Sequence, residues 1–234
     1  MNLYLIITLL VVAGPLLLSF DRKVAFYKGW KQLGLSMLPI SAIYILWDIL
    51  ATHSGHWSFS LKHSGGWKLF GLPLGEWLFF FVVPYACIFI YEVVKAYFPQ
   101  KKSTNIFQVR LWCGLIGLLC LLLAVVFRDQ AYTVLALVSL ALWLAFTVLV
   151  RPQLLLQTST LWYMLLSAIA FLLVNGLLTG IPIVLYNPEA IWGIRIITIP
   201  LEDLFYNIGM LGFFLLSYEL VGMRLQRKGG LNAS

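Results

Sequence analysis

Seven apolar runs, at about residues 3–20, 32–52, 73–94, 111–127, 131–150, 160–180 and 200–222, take up most of the 234-residue chain. Each comes close to the roughly 20 residues that an α-helix needs to cross the hydrocarbon of a bilayer. The pattern predicts an all-α membrane protein with seven transmembrane helices. The polar stretches between the runs are short, which leaves no room for a soluble catalytic or nucleotide-binding domain, so any chemistry belongs at or inside the membrane. The first run has no basic residue before it and the cluster DRKVAFYKGWK after it, from Asp21 to Lys31. It is expected to stay as a helix with its start outside, not to be removed as a signal peptide.

The polar positions that interrupt these runs recur at one offset. Leu72 to Phe80, LPLGEWLFF, returns 127 positions later as Ile199 to Asn207, IPLEDLFYN, with Pro73 over Pro200, Leu74 over Leu201 and Glu76 over Asp203. The register continues: Tyr91-Glu92 falls over Tyr218-Glu219, Lys68 over Arg195, Phe59 over Tyr186, Thr52 over Thr179 and Asp48 over Asn175. Only nine acids occur in the chain, so paired acids at a constant spacing point to an internal duplication. The fourth run has no counterpart. Two three-helix units share one orientation only if an extra crossing reverses the chain between them, which predicts 3+1+3 parallel repeats. The expected boundaries are a first repeat at 1–98, a linker with the fourth helix at 99–130, a second repeat at 131–222 and a cytoplasmic tail at 223–234 that looks disordered from Arg224. The first and fifth runs have few polar groups and read as packing elements.

Composition agrees with a membrane location: 62% of residues are hydrophobic and 11% charged, against about 25% charged in soluble domains. The net charge of +7 does not imply a nucleic-acid partner, because its distribution has another cause. With the amino terminus outside, twelve of the sixteen basic residues fall in cytoplasmic segments, leaving Lys62, Lys68, Arg128 and Arg195 outside. That is the positive-inside bias, and it predicts a multi-pass cell-membrane protein with a cytoplasmic carboxyl terminus. Cys87, Cys113 and Cys120 lie within runs at no metal spacing and read as small packing residues. His53, His56 and His63 share one outer loop, but no acid or cysteine stands at ligand spacing, so no metal site is expected.

The candidate chemistry lies where both copies keep polar groups. Proline followed by acids is also a sound helix start, yet the repeat brings Asp48 and Glu76 to one depth near the outer boundary, and Asn175 and Asp203 likewise. An ionisable residue at membrane depth costs up to ~3 kcal/mol, so these groups are expected to face partners or a cavity. Trp77, Phe79, Phe80, Phe205 and Tyr206 would wall that cavity, with Asn207 and Arg195 as supporting residues. Successive helical positions point about 100° apart, so Glu202 and Asp203 cannot both project into it, and one is expected to support the other. Glu92 and Glu219 lie sixteen residues further on and read as structural. A carboxyl in an apolar cavity holds its proton and can donate it, and aromatic faces can stabilise a cation that water would trap. Such a site suits a lipid with a double bond.

LPLGEWLFF and IPLEDLFYN, the acid in the second helix, the N-G-x-L-T ending of the sixth run and the Y-N-P-E…G-I-R loop resemble the membrane-integral lycopene cyclases of carotenoid biosynthesis, in the form that fuses two similar small helix bundles. The resemblance covers nearly the whole chain. It implies a redox-neutral isomerisation of lycopene or a related carotenoid. A proton adds to a terminal double bond, the ring closes to a carbocation and a proton is lost, giving β-rings in β- or γ-carotene. It implies Glu76, Glu202 and Asp203 as catalytic carboxyls, one acting as acid and another as base. The first motif of the family usually has two acids, and here Gly75 replaces one. No dinucleotide motif occurs, so no cofactor is expected, in contrast to flavin-dependent cyclases. A small sugar transporter shares the 3+1+3 plan and is the rival reading, but the pairs Pro99-Gln100 and Pro152-Gln153 do not fall at the repeat offset. A retinal protein would need a lysine in the last run, and Ile199 to Gly222 has none.

Overall fold

The structure, a computed structural model, describes residues 2–99 and 105–231. Lys101, Lys102 and the last three residues, which belong to the charge count and the tail discussed above, lie outside the described residues. Eight α-helices follow in order among the described residues: α1 (Leu3–Leu18), α2 (Trp30–His53), α3 (Leu61–Ser64), α4 (Leu74–Tyr97), α5 (Ile106–Val126), α6 (Ala131–Val150), α7 (Thr158–Gly180) and α8 (Leu201–Leu231). Six of them, α2 and α4 to α8, are long and apolar enough to cross a membrane. The chain is a multi-pass membrane protein.

The expected seven spans are qualified at α1, which is a shorter apolar helix than the six long enough to cross a membrane. It has 16 residues, about 24 Å at the helical rise, short of the ~30 Å hydrocarbon core. Asn2 caps its start by accepting the Leu5 amide, and its end is drawn in by Ser19, whose hydroxyl donates to the Pro15 carbonyl at 2.6 Å. Beyond it Asp21 accepts the amides of Lys23 and Val24, and the Val24 amide, with that of Lys23, holds this carboxyl below its usual range. The tail is corrected: α8 has 31 residues and stays helical past Arg224, through Arg227 and Lys228. Basic residues in a last turn are favoured by the helix dipole.

Three two-stranded ribbons stand between the helices: β1 (Trp57–Phe59) with β4 (Val184–Tyr186), β2 (Lys68–Leu69) with β3 (Leu72–Pro73), and β5 (Arg195–Ile196) with β6 (Ile199–Pro200). The last two are hairpins, pairing Lys68 with Pro73 and Arg195 with Pro200. Phe70 and Gly71 both have positive φ, 52° and 85°, as a type I′ hairpin turn requires. At the corresponding place Ile197 has φ 59°. Each hairpin runs into its helix, so Glu76 and Asp203 both occupy the third helical position. The antiparallel pair β1–β4 sets Ser58 opposite Leu185, two residues themselves 127 apart. Flanking backbone bonds run from Ser60 to Ile183 and from Asn187 to His56, each at 2.9 Å.

α4 packs against α1, α2, α7 and α8, and α8 against α2, α6 and α7. Their buried faces meet in an aromatic core that includes Phe80, Tyr91, Tyr163 and Phe214. Gly212 makes close approach of α8 to α6 possible, since a Cβ there would stand 2.2 Å from the Trp143 ring. α5 packs on α6 and leaves most of its surface outward. At the end of the bundle where α4 and α8 finish, Glu219 accepts from Arg151 at 2.7 Å and from Tyr91 at 3.0 Å, while Glu92 pairs with Lys95 at 2.8 Å. These two acids are parts of the helix-end packing.

Candidate active site

The opposite end of the bundle holds a small chamber of about 60 Å³, lined by residues of α1, α2, α4, α6, α7, α8, β1 and β4. Three acids line it: Asp48 from α2, Glu76 from α4 and Asp203 from α8. They are buried, Asp48 and Asp203 at 1% and 2% exposure. Carboxyls at such depth need hydrogen-bond partners, and tyrosines supply most of them.

Asp203 collects three donors. The Tyr132 hydroxyl reaches one oxygen at 2.5 Å, and the other accepts from Asn175 Nδ2 at 2.6 Å and from the Tyr186 hydroxyl at 2.7 Å. On the other side of the chamber Tyr4 donates to Glu76, and Trp57 Nε1 donates to Asp48 at 2.8 Å. Oδ2 of Asp48 accepts from no donor among the described residues, and the Asp48 and Glu76 carboxyls are close enough to share a hydrogen bond. The two clusters are built alike: Tyr4 of α1 stacks on Phe59 at 6.3 Å, and Tyr132 of α6 stacks on Tyr186 at 5.8 Å. Trp57 stands between them, edge to face with Tyr132 at 5.0 Å.

The expectation that α1 and α6 are plain packing elements is therefore corrected, because each presents a tyrosine from its first turn to an acid. Tyr4, Tyr132, Trp57 and Phe59 escape a reading based on polar groups in helix interiors. A signal existed in the tyrosines near the start of both runs and in Phe59 falling over Tyr186. Gly75 also gains a physical reason. A Cβ at that position would lie 2.6 Å from the Tyr4 ring, so the bare backbone lets Tyr4 reach Glu76.

Of the other residues singled out from sequence, Phe79, Phe80, Asn175 and Tyr206 line the chamber. Glu202 does not. It is fully buried, accepting from the Thr133 hydroxyl at 2.6 Å and from the Trp192 amide, with Oε2 unpartnered among the described residues. The 100° between neighbouring helical positions separates its direction from that of Asp203. Trp77 lies outside the lining and donates to the Leu69 carbonyl at 3.1 Å. Arg195 is exposed and donates to the Thr198 carbonyl at 2.8 Å, so both brace hairpins. Phe205 packs in the core between α6 and α8, and Asn207 is buried away from the lining. Among the described residues no group of three or more His, Cys, Asp or Glu is placed to hold a metal ion.

Chemically, the chamber sets a carboxyl pair against a third carboxyl that faces three donors, across apolar and aromatic walls. A model of the lycopene cyclase family matches residues 1–94 and 129–221. The unmatched interval contains α5 and its flanking loops. No curated protein and no solved structure matches the chain.

Proposed function

The chain belongs to the lycopene cyclase family, and from that premise we propose that it closes the acyclic ends of lycopene to β-rings by proton-initiated, redox-neutral isomerisation within the membrane. Family membership makes it an enzyme of carotenoid cyclisation; the assignment of product, steps and residues is our reading. The observation that carries it is that Asp48, Glu76 and Asp203 line one small chamber with aromatic walls.

Asp48 and Glu76 are the acid side. Like charges side by side in an apolar setting repel strongly, so this pair holds a proton between its members. That proton adds to the terminal double bond of the end group and leaves a tertiary carbocation. The next double bond attacks this centre, forming the ring bond and moving the positive charge into the ring. Phe79, Phe80 and Tyr206 present faces that stabilise cations. Asp203 is the base: an ionised carboxylate is a pure acceptor, and only that form uses all three donors while keeping a lone pair free. It takes the proton whose loss creates the ring double bond. No atom is gained or lost, and no electron acceptor is consumed. Glu202 is a positioning residue that ties the segment before β5 to α6.

The duplicated plan extends this reading. We read the chain as 3+1+3, with repeats at 1–98 and 131–222, joined through α5, and with the acid chamber near the outer face of the cell membrane. Support comes from the matched hairpins and from Ser58 standing opposite Leu185. The test is amide replacement in a lycopene-accumulating host. Glu76→Gln and Asp203→Asn should each lower cyclic product by at least about 100-fold, in line with the 10²–10⁴ attributed to general acid–base groups, at normal membrane levels. Wild-type product from both variants would remove the assignment.

A further inference from the structure

A chamber of about 60 Å³ is far below the roughly 300–1,000 Å³ of sites that enclose a whole small-molecule ligand. It can receive only part of an end group, so the body of any long substrate must lie elsewhere. A second hollow, of about 630 Å³, runs between α2, α6 and α8. The two share one lining residue, Tyr206. A third hollow, of about 300 Å³ between α5 and α6, shares none with the chamber.

We propose that the α2/α6/α8 groove holds the linear body of the polyene, and that Tyr206, backed by Tyr44, is the partition through which the end group enters the acid chamber. This rests on the cyclase reading above. The groove extends along α8 from Tyr206 to Arg224, eighteen residues or about 27 Å at the helical rise. That is nearly the ~30 Å depth of the hydrocarbon and about twice one leaflet, so a membrane-length linear molecule fills it and a single phospholipid does not. Tyr44, Ser139 and Ser217, which line it, are engaged within the protein. The Tyr44 hydroxyl meets Ser139 Oγ at 2.9 Å, and the Ser217 hydroxyl donates to the Ser36 carbonyl at 2.9 Å. No hydrogen bond among the described residues pins the Tyr206 hydroxyl, and its ring is held only by packing, edge to face with Tyr44 at 5.5 Å and tilted against Tyr132 at 6.1 Å. Ile43 and Leu142, on opposite walls, are 63% and 47% exposed, which leaves the groove open sideways to the bilayer.

The test reads binding, so it fails separately from the cyclisation reading. Asp203→Asn protein purified from membranes containing lycopene should retain about one pigment molecule per chain, in the manner of a filled ligand site. Adding Leu142→Trp or Ile43→Trp should cut retained pigment at least about tenfold, roughly 1.4 kcal/mol, with unchanged protein level and elution. Unchanged retention in both overturns the proposal. If neither variant is recovered folded, Trp47 decides, since it lines the groove. Bound lycopene should quench tryptophan emission, with a smaller quenched share in Trp47→Phe, and an unchanged share overturns the proposal. Tryptophans that displace phospholipid while pigment stays bound assign the groove to lipid and also overturn it. Groove-dependent pigment retention by an unsubstituted chain that makes no cyclic product would sink the enzymatic reading and leave the groove assignment standing.

Discussion

Three donors converge on Asp203, and their replacement separates chemistry from packing. Tyr132→Phe keeps the ring that stacks on Tyr186 and loses only the 2.5 Å bond to the carboxylate. A hydrogen bond to a charged group is worth about 1.5–3 kcal/mol, so turnover should fall by about 10- to 100-fold, with the protein still folded. Tyr206→Phe removes a hydroxyl with no partner among the described residues, and should stay within about twofold of wild type by the same reasoning. Product formation by the two purified proteins, measured side by side, checks both. A larger loss in Tyr206→Phe than in Tyr132→Phe would contradict the roles given to them. Glu202→Gln belongs at this scale as well. Its amide oxygen can still accept from Thr133 and Trp192, so its effect should be milder than that of Asp203→Asn and should include a change in protein stability.

At the scale of elements, α6 and α8 are locked by contact where the sequence has glycine. Gly209 and Gly212 face Ser139 and Trp143, at 2.9 Å and 2.2 Å from an added Cβ. Gly114, on the outward α5, has nothing within 4 Å. Overpacking a tight contact costs about 1–3 kcal/mol, so Gly212→Ala should lower the midpoint of thermal unfolding in detergent by several degrees. Gly114→Ala should leave it unchanged or raise it slightly, as alanine is the better helix former. Equal midpoints for the two variants would mean that α6 and α8 are not held together at Gly212. The outward position of α5 also agrees with its place in the interval that the family match leaves out. In the proposed 3+1+3 plan α5 serves to reverse the chain, and such a helix needs a lipid-compatible surface more than a specified one.

Among the described residues most basic side chains gather toward one end, and the orientation we propose rests on that. Lys23 lies over the Tyr97 ring at 3.9 Å, and Arg151 and Lys95 meet Glu219. The ends of α4, α6 and α8 thus form one basic cap. We propose, from the positive-inside bias, that this cap faces the cytoplasm. Reporters fused after residue 100 and at the carboxyl terminus should both read cytoplasmic, and a periplasmic signal from either would reverse the assignment or break the 3+1+3 plan. Redox neutrality is a second property of the proposed reaction. Purified protein in liposomes should cyclise lycopene with neither flavin nor nicotinamide added, and strict dependence on a reduced flavin would require another mechanism.

The sequence by itself determined the membrane class, the family and the places of the long helices, because bilayer thickness sets a length that apolar runs must meet, and the 127-residue echo was written in scarce acids and prolines. It also determined that Glu202 and Asp203 must part company, since helical geometry allows no other outcome. Only the tertiary structure decided which of them faces the chamber, because that depends on the rotation of α8 against α6 and on the β5–β6 hairpin leading into it. The short α1, the helical continuation past Arg224 and the tyrosines that hold the acids were likewise settled by packing. Tyr4 and Tyr132 sit 72 and 71 residues from the acids they bond, and no local pattern records a contact made across the bundle. The groove beside Tyr206 belongs wholly to that level, since a cavity is a property of surfaces brought together and not of any run of residues.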